Sequence, residues 1–95
     1  MGVWPMGYRI GPCGRTAAEL RYIQALLDVF AQLPPERQET VRKMIACVAA
    51  TPEEGMALFR VLVQKKTLSA TAEATGISPR RLARLRLDFF AHMPL

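Results

Sequence analysis

Apolar residues recur at three- and four-residue spacing along most of this chain, whereas the strict alternation that marks a half-buried strand is almost absent. Leu20, Ile23, Leu27 and Phe30 form a first stripe, widened by Leu26 and Leu33, and predict a helix over residues 16–33 with a broad face to bury. Its start is marked by "TAAEL": Thr16 can cap the first turn while Glu19, three positions on, bonds back to the cap residue's N–H. "PP" at 34 and 35 closes this helix and opens a second over 35–50, because proline fits the first turn of a helix but not its interior. Val41, Met44, Ile45 and Val48 give the second helix its inward face. "TPEE" repeats the start signal at 51–54, and the almost continuously apolar "MALFRVLV" behind it predicts a central helix over 52–64, packed on more than one side. Lys65 and Lys66 end that helix where positive charge is favourable. A short helix over 68–75 capped by Thr67, a turn at Gly76 and a last helix over 79–91 complete an all-α, five-helix, bundle-like reading.

A chain of 95 residues has room for one such domain, here 16–95, preceded by a Gly/Pro-rich flexible arm over 1–15. Its hydrophobic content of 51% is more than so small a core hides easily, which makes a homodimer interface a natural outlet. No apolar run approaches the roughly 20 residues that span a bilayer, and the start of the chain lacks the apolar core of a signal peptide. The chain is therefore expected in the cytoplasm, away from membranes. Cys13 and Cys47 fit no metal-ligand spacing and read as free thiols. A lone histidine, His92, leaves neither a zinc site nor a Ser/His/Asp constellation to assemble. Glu36, Glu39, Glu53 and Glu54 lie near helix starts, where the helix dipole accounts for them, so no enzyme, metal or cofactor is expected.

Charge divides the chain in two. Residues 1–59 hold six basic and six acidic side chains, whereas residues 60–95 hold seven basic ones against Glu73 and Asp88 and carry the whole net charge of +5. So local a basic segment suits a polyanionic partner, with a solvated charged face as the plainer alternative.

Within that segment, "SPRR" at 78–81 sets Arg80 and Arg81 into the first turn of the last helix, against the roughly half positive charge that aligned peptide dipoles place there. Something negative would relieve them. The surrounding residues hold the parts of a tight helical corner in order. Ala72 is small enough for two helix backbones to approach, and Gly76 can take the left-handed conformation that ends a helix. Ile77 can fill the angle, and Leu82 and Leu85 face the core. Ser78, Pro79, Arg80, Arg81, Ala83, Arg84 and Leu87 are left nearest the outside.

"LSATAEATGISPRRLARLRL", residues 68–87, resembles the twenty-residue helix-turn-helix signature of bacterial and phage transcriptional regulators, with Ala72, Gly76, Ile77, Leu82 and Leu85 at the signature positions. Thr71 and Thr75 stand where that family often has aliphatic residues. The resemblance implies that Ser78, Arg80 and Arg84 read bases and that Thr67 and Ser69 meet phosphate. Arg81, Arg86, Lys65 and Lys66 add further phosphate contacts on this reading. The expected partner is double-stranded DNA, bound in the major groove by a sequence-specific transcriptional regulator acting as a homodimer. A second reading keeps the same fold as a protein-binding module that docks on RNA polymerase or another regulator. Trp4, Tyr8, Arg9 and Arg15 of the arm are candidates for reaching a groove or a partner.

Overall fold

The computed structural model describes residues 14–94, so Trp4, Tyr8, Arg9 and Cys13 lie outside the described part. All regular structure among the described residues is helical: α1 (Ala17–Asp28), α2 (Pro35–Val48), α3 (Pro52–Leu62), α4 (Leu68–Thr75) and α5 (Pro79–His92), with a 3-10 turn at Phe30–Gln32. None of these helices is long and apolar enough to cross a membrane.

Four of the five helices begin on a hydroxyl cap, which supplies an acceptor for one of the N–H groups left without an intrahelical partner. Thr16 Oγ1 accepts from the N–H of Glu19, whose carboxylate in turn accepts from the N–H of Thr16, completing the reciprocal cap of α1. Thr51, Thr67 and Ser78 cap α3, α4 and α5 in the same sense. α2 starts instead on Pro34 and Pro35, whose fixed φ prepares the first turn.

The first helix ends at Asp28, well before residue 33. A residue preceding proline is pushed into extended backbone, and Leu33 and Pro34, each followed by a proline, have ψ of 151° and 155°. The chain bridges the gap with the 3-10 turn. Gln38 on α2 stabilises it by donating from its side-chain amide to the carbonyls of Phe30 and Leu33, both at 3.1 Å.

α3 and α5 share the centre, each packed against the other and against α2 and α4, and for α3 its nearly all-round apolar sequence requires burial on more than one side. Ile23 and Leu27 of α1, Val41 and Ile45 of α2, Leu58 and Leu62 of α3, and Leu82, Leu85 and Phe89 of α5 form one buried cluster, joined by Phe30 and Met93. Fully burying a side chain of this size is worth about 1.5–3 kcal/mol relative to leaving it exposed. Phe89 is thus buried within its own chain, and its ring meets that of Phe90 edge to face at 5.8 Å. The last carbonyls of α5 are taken by Arg15, whose guanidinium donates to the carbonyls of Phe90, Ala91 and Met93. A residue grouped by sequence with the arm therefore fastens the beginning of the described chain to its end.

Candidate nucleic-acid interface

Residues 76–78 join α4 to α5. Gly76 has φ of 77°, and the space around its missing Cβ is open, so the glycine answers to backbone conformation and not to crowding. Its N–H closes α4 on the carbonyl of Ala72 at 2.8 Å. Thr75, unusual for an aliphatic position, braces both sides of the turn through its hydroxyl, which donates to the carbonyl of Thr71 at 2.7 Å and accepts from the N–H of Ile77 at 3.3 Å. Ile77 packs partly buried on the core, and Leu82 and Leu85 are fully buried. Thr71 is also fully buried, and its hydroxyl has no hydrogen-bond partner.

The candidate contact residues divide into two exposed groups. Ser78, Arg80 and Arg84 lie on the first turns of α5, with Arg86 exposed further along. Lys65, Lys66, Thr67 and Ser69 lie at the connection into α4 and on its first turn, at the opposite end of that eight-residue helix from the turn into α5. Ser78 and Thr67 use their hydroxyl oxygens as caps, accepting from Arg81 N–H at 3.1 Å and Ala70 N–H at 3.0 Å, which leaves each O–H free to donate outward.

Arg81 stands apart from these groups. Its Nε and Nη2 donate to the two carboxylate oxygens of Glu54, both at 2.9 Å, in a bidentate pair that ties the start of α5 to the start of α3. Glu54 Oε1 also accepts from the N–H of Ala50 at 2.9 Å. The guanidinium hydrogen bonds, followed by that backbone N–H, hold the Glu54 carboxyl well below its ordinary 4.5, at about 2, and the same pairing raises the pKa of Arg81. One of the two arginines set against the helix dipole is thereby neutralised inside the fold. The capping signal of Glu54 was visible in the sequence, but its partner lies 27 positions away, beyond any local pattern.

Arg80 has no carboxylate partner among the described residues, and neither do Arg86 and Lys66. Arg84 reaches Asp88, one turn on, only at 3.5 Å, and its side chain is 71% exposed. Exposed pairs of this kind contribute little, so the cation remains available to an external anion. Lys65 is more engaged: its ammonium bonds Asp28 at the end of α1, which together with Gln24 lowers the pKa of that carboxyl. Lys65 also holds φ of 61°, a left-handed conformation rarely taken by a residue with a side chain, where the chain turns from α3 toward α4. Each group can offer guanidinium or ammonium donors to an oxyanion.

Scans against protein-family models, curated proteins and solved structures return no match to this chain. The functional reading rests on the residues and their placement.

Proposed function

We propose that the chain is a small DNA-binding transcriptional regulator that presents the first turns of α5 to the major groove, with α4 and α5 acting as a helix-turn-helix. The observation that carries this reading is the set of exposed, weakly paired cations Arg80, Arg84 and Arg86 on α5, behind a glycine turn with a left-handed φ. Arg80 is unfavourable against the α5 dipole in isolation, and phosphates around a docked helix would neutralise it and release counterions. Arg80, Arg84 and Ser78 are the proposed base readers, since an arginine can bond guanine O6 and N7 together, worth about 1–3 kcal/mol of discrimination. Lys65, Lys66, Thr67, Ser69 and Arg86 are the proposed phosphate contacts. Arg81, committed to Glu54, serves this reading chiefly by fixing the angle of α5. Two copies on a palindromic site would set their recognition helices about 34 Å apart.

Selection from a random duplex library at about 150 mM salt tests the reading, because non-specific phosphate binding is weakened there. The expected result is an enriched palindrome, relaxed at one base position by Arg84→Ala and bound uniformly more weakly by Lys66→Ala. Failure of the wild-type protein to enrich any sequence would overturn it.

A further inference from the structure

A second surface is unrelated to α4 and α5. Between α2 and α3 lies an open trough of about 740 Å³, within the range of built binding sites. Its floor consists of Ile45, Ala49, Gly55 and Phe59, and along its edge stand Ala46 and Met56, the latter 65% exposed and the most exposed large apolar side chain among the described residues. Small residues make the trough deep, and a flexible thioether at its rim can adapt to what enters. Two guanidiniums, Arg42 and Arg60, line the same trough. Neither pairs with a carboxylate among the described residues. Arg42 lies over the edge-to-face pair of Phe30 and Phe59, at 5.3 and 5.5 Å from their centroids, so one side of its guanidinium rests on the rings and its N–H donors are left for an acceptor.

We infer that this trough docks an acidic amphipathic helix of a partner protein. Along α3 the lining runs from Pro52 to Arg60, roughly 12 Å or two helical turns, which accommodates two apolar side chains spaced i and i+4 on a short helix. A carboxylate on the following turn would then reach Arg42 and Arg60 and satisfy charges that the fold leaves open. Charge also argues against the nearer occupants. Residues 1–13 contain Arg9 and no acidic residue, so they cannot supply the carboxylate. A second copy stacked face to face on the same surface would set its own Arg42 and Arg60 against this pair. DNA meets the cations but not the apolar floor. The inference does not depend on the DNA-binding reading.

The test uses the full chain and a displayed library of about 14-residue peptides on an alanine-rich helical template. Enriched peptides should share apolar residues at i and i+4 with an Asp or Glu one turn beyond. The synthetic form of the best peptide should bind at least about tenfold more weakly to Arg60→Glu, which reverses the charge, and to Ala46→Trp, which fills the trough. Arg21→Glu, on the exposed face of α1 and outside the trough, should change its affinity less than about twofold. Thermal melts establish that each variant is folded, and Arg60→Glu carries the test alone if Ala46→Trp is not. Recovery of no peptide, recovery of peptides without an acidic residue, or affinities indifferent to the folded trough variants would overturn the inference. So would a dimer of the wild-type protein in sedimentation that Ala46→Trp dissociates, since the occupant would then be a second copy.

Discussion

The outer face of α5 and the trough between α2 and α3 both display arginines that the fold does not pair strongly, yet their surroundings differ in kind. On α5, Arg80 stands in a serine-capped first turn and Arg84 one turn further along, both exposed. In the trough, Arg42 lies across two aromatic rings, and Arg60 shares with it a floor of alanine, isoleucine and phenylalanine. An arginine on a solvated helix end offers charge to whatever oxyanion approaches. An arginine over an apolar floor selects a ligand that is apolar at one end and anionic at the other. Arg81 is the internal control for α5: same helix, adjacent to Arg80, and its charge already committed to Glu54.

Separating the two faces gives the largest expected effect. Arg80→Glu combined with Arg84→Ala should lower specific DNA affinity by at least about a hundredfold, from lost base and phosphate contacts, while leaving peptide capture by the trough unchanged. Arg80→Glu alone should nevertheless raise thermal stability slightly, by about 0.3–1 kcal/mol, because an acidic residue suits a helix start. A loss of stability from Arg80→Glu would mean that the residue has a structural role that its exposure conceals.

The next effect concerns the tie between the two regions. Glu54→Ala removes both the bond to Ala50 N–H and the bidentate partner of Arg81, and should cost about 1–2 kcal/mol in denaturant unfolding. The pH dependence follows in sign. Because the carboxyl titrates lower in the folded chain than in the unfolded one, its contribution is complete above about 4.5 and is lost as pH falls toward about 2. The melting temperature of the wild-type protein should drop through that window, and Glu54→Gln should flatten the drop.

Much of the fold was legible because its signals are local. Thr16 with Glu19, Thr51 with Glu54, the two prolines at 34 and 35, and Gly76 each mark a helix end through bonds or backbone preferences that reach no further than four residues. That α3 packs on more than one side could be read from its composition, whereas the equal share of α5 in the centre could not. The break at Val29 could not, because the bonds around it, from Gln38 to the carbonyls of the 3-10 turn and from Lys65 to Asp28, come from outside the helix. The same limit applies to the sites. That Arg80 and Arg84 are exposed follows from helical spacing, whereas the Glu54 partner of Arg81, the clamp made by Arg15 and the Arg42 stack all join positions far apart in the chain. The trough went unread because Ala46, Ala49 and Gly55 announce nothing singly and become a feature only when two helices place them together.

Two smaller substitutions sharpen the comparison from inside the fold. Thr71→Val replaces a buried hydroxyl without a partner by a methyl of similar size, and should stabilise the protein by about 1 kcal/mol in chemical denaturation with DNA binding intact. Gly55→Ala should add about 0.5–1 kcal/mol, since the new Cβ would sit at an ordinary 3.8 Å from both Ala49 and Ile45 in a helix interior. It would also narrow the trough floor, so calorimetry against an acidic helical peptide should register a weaker fit in a more stable protein.

The central claim, that α5 meets nucleic acid while the α2–α3 trough serves a different partner, is tested most directly by amide chemical-shift mapping of the protein with a duplex DNA. The account predicts perturbations confined to residues 65–69 and 78–86, with Ala46, Ala49, Met56 and Arg60 silent. Shifts concentrated in the trough, or none on the first turns of α5, would contradict it.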